Sequence, residues 1–326
     1  MIYFFTSLCY YAKVAYKNAF FTASIKHRKG TNMNKKIVSG YIFAILSAVI
    51  YGCMPLMAKY IYMDGVTPTT LVFLRNFLAL PILAVLALMQ KKTLKIPLRA
   101  MPSLAIISLF GCCLTPILLF MSYNYISSGT ATVFHFVYPC LVLLIGAMFL
   151  KKKLKAATII SVAVCFIGIC MFYNSADTFN LTGGALAVLS GLTFAIYVAI
   201  LPTFKYKEVS GFLFTFYVIA ISSVATFIVG LCTKSLSFPA TLRGWGLCVL
   251  FAIAVTAIAV VLFQESAFRI GSEKTSILSA LEPTTSVIIG IIVFSEPASV
   301  RSVIGTVLVI LAGIIIAISD MKSKKV

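Results

Sequence analysis

Ten long apolar runs constrain this chain more than any other feature of its sequence. Each run has roughly 18–24 residues, the length that a helix needs to cross the hydrocarbon core of a membrane. Backbone groups inside lipid must pair within the protein, and continuous rather than alternating apolar runs indicate helices. The sequence therefore predicts an all-α membrane protein with ten transmembrane helices. The predicted spans are 37–58, 68–89, 102–123, 127–149, 156–173, 182–202, 211–231, 244–264, 275–294 and 300–319.

The scarcity of charge supports the same class. Hydrophobic residues make up 61% of the chain and charged residues 11%, and the mean hydropathy is +1.06. Soluble domains carry about 25% charged residues, so no soluble fold is expected. The nine cysteines lie inside or beside apolar runs and form no C-x-x-C pair, which argues against a zinc site and against a disulfide framework. No metal and no cofactor are expected.

An internal repeat divides the chain into two five-span halves, 37–173 and 181–319. Residues 126–139 and 270–283 each begin with Ile and small polar residues and run to a proline, 144 positions apart. A glycine follows seven residues after each proline, and Gly40 of the first span has a counterpart in Gly183 of the sixth. In a membrane chain such a repeat is typical of transporters, which bind their substrate between the halves.

The distribution of basic residues predicts the orientation of the halves. An odd number of spans in each half inverts the second half relative to the first. With both termini in the cytoplasm, 22 of the 27 Lys and Arg residues fall on the cytoplasmic side, so the net charge of +19 reflects the positive-inside bias rather than nucleic-acid binding. The loop 151–155 is strongly basic, whereas its counterpart 295–298 is acidic. The expected location is a bacterial cell membrane.

The two ends of the chain differ from its apolar body. Residues 1–32 are aromatic but interrupted by lysines, and Met33-Asn34-Lys35-Lys36 resembles an ordinary bacterial start. We interpret 1–32 as a misassigned start or a cytoplasmic leader, with an interfacial amphipathic segment as the alternative. Residues 320–326 form a basic cytoplasmic tail.

Two ionisable residues inside the spans are candidates for binding substrate or ion, because charge within a membrane is costly. Glu282 directly precedes Pro283, and this carboxyl can bind an ammonium group or a proton, or serve as a structural partner. Arg75 in the second span can receive a substrate carboxylate or form a gating pair with Glu282.

His135 and Tyr138 are further candidates for lining a cavity. They lie three residues apart on one face of the fourth span, and Tyr138 occupies the repeat position of Glu282. The alternative for His135 is a core imidazole with its hydrogen bonds satisfied. Three prolines within spans, Pro55, Pro139 and Pro283, are predicted to kink or hinge their helices, since proline cannot donate a backbone hydrogen bond.

The second half, with its Glu282-Pro283 and Ser295-Glu296-Pro297 motifs, resembles the EamA domain of the drug/metabolite transporter superfamily. The first half keeps Pro139 and Gly146 but has Tyr138 in place of the glutamate. The resemblance implies a ten-helix carrier with two inverted five-helix repeats. It also implies a central cavity built from spans one to four and six to nine, with spans five and ten peripheral.

These features favour a secondary transporter of small metabolites that works by alternating access. Efflux of amino-acid-like or other small polar or amphipathic solutes is the expected activity. No nucleotide-binding G-x-x-x-x-G-K-[ST] motif occurs, so coupling to a gradient of protons or of another ion is expected. No enzyme is expected, since H-E-x-x-H, G-x-S-x-G and paired aspartates are missing from the sequence. A flippase for a lipid-linked substrate, a channel and a sensor remain alternatives, and small residues in span ten leave a homodimer open.

Overall fold

The computed structural model describes residues 31–90, 96–148, 155–171, 180–204, 210–294 and 300–322. Every regular element within these ranges is a helix, which confirms the all-α prediction for this part of the chain. Most of the predicted leader, residues 1–30, lies outside the described ranges. The same holds for 151–154 of the basic loop, for the acidic loop 295–298 and for 323–326 of the tail.

Fifteen α-helices occur in the described ranges. Those of the first half are α1 Thr31–Gly52, α2 Met54–Tyr62, α3 Pro68–Met89, α4 Met101–Ile107, α5 Thr115–Ser122, α6 Ser128–His135, α7 Tyr138–Met148 and α8 Ala156–Cys170. Those of the second half are α9 Leu181–Ile200, α10 Gly211–Cys232, α11 Leu242–Phe251, α12 Val261–Ile270, α13 Ser272–Leu278, α14 Leu281–Phe294 and α15 Val300–Lys322. Short 3₁₀ turns occupy Leu98–Ala100 and Leu201–Thr203.

Seven helical stretches within the described ranges are long and apolar enough to cross a membrane. They are Lys36–Tyr62, Pro68–Met89, Leu98–Ser122, Thr130–Met148, Leu181–Ile200, Gly211–Cys232 and Leu242–Ile270. The other three predicted spans do not meet this criterion, so the number ten is not confirmed. The fifth is a helix of only 15 residues, the ninth is divided between α13 and α14, and the apolar part of the tenth covers Val303–Ile316.

Three of the spans are interrupted, and a proline follows each interruption within a few residues. Pro55 follows the break between α1 and α2, Pro139 follows the break between α6 and α7, and Pro283 follows the break between α13 and α14. A proline ring lacks the N–H group and clashes with the carbonyl four residues earlier, so a helix ends there or bends. At the first break the freed carbonyl of Gly52 accepts a hydrogen bond of 2.6 Å from Ser286 Oγ of α14.

Two wide-turn π-helical segments lie at matching positions of the halves. Ser108–Leu114 connects α4 to α5, and Ala252–Val260 connects α11 to α12. Their first residues are 144 positions apart, which is the offset of the sequence repeat. In the first segment side chains hold the loosened carbonyls: Thr115 Oγ1 donates to the Phe110 carbonyl at 2.6 Å, and Asn76 Nδ2 donates to the Cys112 carbonyl at 3.1 Å. π-segments of this kind occur often beside functional sites.

The helices pack as a central group with one peripheral pair. α3 lies against α10 in the centre, α1 lies against α12, and α8 lies against α15 at the side. The contact between α8 and α15 is close because Gly168 faces the backbone of Gly305 and the base of Leu308. The small residues of span ten are therefore used at least partly within the monomer.

Polar contacts join the halves at both ends of the bundle, among them two that we name the 64–241 tie and the 39–269 tie. In the 64–241 tie, the Asp64 carboxylate accepts hydrogen bonds from Thr241 Oγ1 at 2.8 Å and from its backbone N–H at 3.1 Å. In the 39–269 tie, Arg269 donates to Ser39 Oγ at 2.6 Å and pairs with Glu265 at 2.8 Å. Because α1 and α2 run from one tie to the other, any opening of the bundle at either end must loosen one of them.

Replacing Gly168 with alanine is expected to lower the stability of the protein by about 1–3 kcal/mol, the usual cost of overpacking. The added Cβ would lie 2.9 Å from Leu308 Cβ and 3.0 Å from the Gly305 carbonyl oxygen. Thermal unfolding in detergent measures the change. The matched control is Gly246→Ala on α11, where a Cβ meets nothing within 4 Å. If both variants melt at the same temperature, the close contact between α8 and α15 is wrong.

Candidate functional site

A central cavity lies between the two halves, and helices of both halves contribute its walls. Its volume of about 50 Å³ leaves room for roughly four water molecules. The lining residues are Tyr51, Met54, Arg75, Gly111, Cys112, Thr115, Pro116, Leu119, His135, Phe194, Tyr197, Val260 and Glu282.

Arg75 reaches this cavity from α3, with only 4% of its surface exposed. Its guanidinium forms no hydrogen bond and no ion pair with the described residues, and its Nε is a buried donor without an acceptor. The ionisable groups around it are the Cys112 thiol and the hydroxyls of Tyr51, Tyr62 and Tyr197. Thiols and phenols are uncharged at neutral pH, so no described group near the guanidinium neutralises it.

Glu282 enters the same cavity from the first turn of α14 and is half-buried. Within the described residues its carboxylate forms no hydrogen bond and no ion pair. The direct Arg75–Glu282 pair, which the sequence left open, is therefore not formed. The Tyr51 side chain lies within electrostatic reach of both groups. One basic and one acidic side chain thus share a small cavity without contacting each other.

His135 ends α6 at the cavity wall and is 5% exposed. Its Nδ1 lies 2.8 Å from Ser190 Oγ of α9. The single Ser190 hydroxyl proton is already directed at the Ala187 carbonyl, 2.6 Å away. Nδ1 is therefore assigned as the donor to Ser190 Oγ, which leaves Nε2 outside this hydrogen bond. The hydrogen bond fixes the ring across the boundary between the halves.

Tyr138 does not line the cavity, although the sequence suggested that it faces a shared cavity with Glu282. The side chain is 1% exposed, and its ring packs edge-on against Phe194 at a centroid distance of 4.8 Å. The hydroxyl donates to the Ser276 carbonyl of α13 at 3.4 Å. The neighbouring His135 ring, 5.3 Å away, rests against it. Tyr138 thus supports the aromatic wall from behind, because a buried phenol packs well wherever its hydroxyl finds an acceptor.

Sequence reasoning missed the aromatic lining of the cavity. Tyr51 and Met54 come from the first span, and Phe194 and Tyr197 come from the sixth. The two pairs are 143 positions apart, the same offset that relates Gly40 to Gly183. Extending that alignment along the first and sixth spans would have paired these four residues. Their position at the cavity would still have required the rotation of the helices.

The arrangement can hold a charged or polar solute by electrostatic attraction and by contact with aromatic rings. Within the described ranges no three His, Cys, Asp or Glu side chains come together as a metal site. The polar groups of the cavity therefore have to act directly on the solute, on water or on a proton. A guanidinium and a carboxyl group, neither of them paired with the other, form its chemical centre beside apolar and aromatic side chains.

Comparison with known proteins places the two halves in one family. The profile of the EamA-like transporter family matches the chain twice, at residues 38–174 and 181–318. An uncharacterized transporter of Clostridium kluyveri is 24% identical over 296 residues, covering 87% of this chain and 94% of the relative. The uncharacterized transporter YcbK of Bacillus subtilis is 22% identical, covering 89% of this chain and 95% of the relative.

A third relative has a similar sequence, and a solved structure has a similar fold. An uncharacterized transporter of Archaeoglobus fulgidus is 24% identical, covering 83% of this chain and 96% of the relative. A solved crystal structure has a similar fold, with a TM-score of 0.73 and 15% identity over 89% of this chain and 98% of its own. With both halves matched by one family profile, this multi-pass membrane protein belongs to the EamA-like transporter family.

Proposed function

We propose that the protein is a secondary transporter that exports small polar or amphipathic metabolites, including amino-acid-like solutes, from a bacterial cell. The observation that carries this proposal is the central cavity, in which Arg75 and Glu282 face a shared space without pairing. Leaving charges unpaired in a membrane protein is costly. This cost has a functional reason if Arg75 binds a solute, and Glu282 binds a solute or a proton, during transport.

The proposed mechanism is alternating access between two inverted repeats. In this mechanism ten helices cross the membrane, both termini are cytoplasmic, and the halves rock about the cavity. The 64–241 tie and the 39–269 tie act as the two closures, which open one at a time. Glu282 is the proposed coupling residue, since a carboxyl in an apolar cavity can take up a proton from one side and release it to the other.

Comparative metabolomics tests this proposal. Cells that overproduce the protein and cells that lack it are compared at two external pH values, and small solutes are quantified in the medium and in the cytoplasm. We expect a small set of metabolites to move to the medium with the protein, and to a different extent at the two pH values. If no small solute redistributes, metabolite export is refuted, and a lipid fraction from the same cells then tests a lipid-linked substrate.

A further inference from the structure

Arg75 has the surroundings of a binding group rather than those of a structural one. Buried cations normally have hydrogen-bond partners, because removing a charge from water without compensation is costly. Arg269 in the same molecule follows this rule: it pairs with Glu265, donates to Ser39 and lies 4.6 Å from the centre of the Phe43 ring. Arg75 has none of these contacts among the described residues, and its Nε is an unused donor.

We propose that the transported solute carries a single carboxylate group, and that this group binds the guanidinium of Arg75 inside the cavity. The inference rests on the proposed function and specifies the substrate class of the same site. A guanidinium is a planar fork of N–H donors that matches the two oxygens of a carboxylate. A carboxylate at Arg75 would supply the acceptor that the described residues do not supply.

The charges of the cavity favour a carboxylate over more highly charged groups. Arg75 supplies the one guanidinium among the residues that line the cavity, beside the His135 imidazole, and one guanidinium can neutralise one negative charge. Phosphate monoesters carry nearly two negative charges at neutral pH and are usually held by several cations or by a helix N-terminus.

The walls indicate what the rest of the solute looks like. Met54, Leu119 and Val260 are apolar, and Phe194 presents an aromatic ring. Transfer of a solute's hydrocarbon portion from water to these side chains is favourable, because apolar surface is removed from water. The substrate class is therefore a small monocarboxylate with an apolar body, with or without an amino group for Glu282.

The test compares the solutes exported by cells that carry the wild-type protein, Arg75→Lys, Arg75→Gln or no transporter. We expect every solute that depends on the wild-type protein to carry one carboxylate and no phosphate. We expect export to fall roughly tenfold in Arg75→Lys, which keeps the charge but loses the fork, and about 100-fold in Arg75→Gln. Arg243→Gln, on the exposed start of α11, is the matched control and should export as the wild type does.

A second arm uses only the wild-type protein, so it does not depend on the folding of a variant. Purified protein in vesicles is given the exported solute and its primary amide, which has the same shape without the charge. We expect the amide to be transported at least about tenfold more slowly. Equal transport of the two, unchanged export by a well-folded Arg75→Gln, or exported solutes that are uncharged or phosphorylated would overturn the carboxylate inference while export itself stands. If the wild type exports nothing, the proposed function fails as well.

Discussion

Replacing Glu282 with glutamine is expected to abolish transport driven by a pH gradient. Glutamine has nearly the same shape but cannot take up and release a proton, so the proposed coupling step is lost. Because the carboxylate has no ion pair among the described residues, the substitution breaks no salt bridge, and the free energy of unfolding should change by about 1 kcal/mol or less. Vesicles with an internal pH dye measure both solute flux and proton flux.

The matched variant is Glu282→Asp, which keeps a titratable carboxyl and should retain part of the pH dependence. A glutamine variant that exchanges solute across the membrane but no longer responds to the pH gradient would identify Glu282 as the coupling group. Normal gradient-driven export by the glutamine variant would show that the proton is carried elsewhere, and the role proposed for Glu282 would then be abandoned.

Replacing Gly52 with valine is expected to disrupt the meeting point of the first and ninth spans. A Cβ at this position would lie 2.6 Å from Thr285 Cβ and 2.7 Å from the Glu282 carbonyl oxygen. Neither atom is the end of a flexible side chain, so the backbone itself would have to move. We expect a loss of roughly 3 kcal/mol or more in stability, together with loss of export, because Glu282 would be displaced from the cavity.

Thermal unfolding and membrane abundance measure the effect of Gly52→Val. Gly246→Val is the control, since it adds the same side chain to a helix at a position with no neighbour within 4 Å. A double variant with Thr285→Gly should recover part of the lost stability, because it removes one of the two colliding atoms. Equal stability of Gly52→Val and Gly246→Val would contradict the close packing of the two interrupted spans.

The sequence predicted the class of the protein and part of its candidate site. Continuous apolar runs led to the all-helical membrane fold, and the repeat led to two halves of one family. Arg75, His135 and Glu282 were chosen because polar residues are rare within such runs, and the structure brings all three to one cavity. Their roles in transport stay predictions until the variants are measured.

The sequence was less informative about apolar and aromatic residues, because such a residue can either line the cavity or pack behind its wall. Phe194 and Tyr197 line the cavity, whereas Phe263, of the same chemical type, packs against both rings from behind. Only the rotation of each helix distinguishes such residues. The same difficulty explains Tyr138, which was expected at the cavity and lies behind its wall. The ninth predicted span is not confirmed, and the break before Pro283 divides it into two shorter helices.

Some apolar and aromatic residues that line the cavity occupy equivalent positions in the two halves, whereas its ionisable residues do not. Pro116 and Val260 are 144 positions apart and both line it, as the aromatic residues of the first and sixth spans do. The helices α3 and α10 begin 143 positions apart, so the position that corresponds to Arg75 in the second half is Val218, a buried apolar residue. The repeat therefore supplies matched residues to part of the wall, whereas Arg75 and Glu282 each come from one half alone.

The two π-segments have a consequence for how this chain is aligned with others. One residue in an α-helix corresponds to a rotation of about 100° and a rise of about 1.5 Å. In a relative that lacks one residue in Ser108–Leu114, the widened turn would close to an ordinary α-helical turn, and α5 would keep the same face towards the cavity. Aligning such a relative without a gap would equate residues that point in different directions. Two carriers can thus share the same lining of the cavity although an ungapped alignment makes it look different.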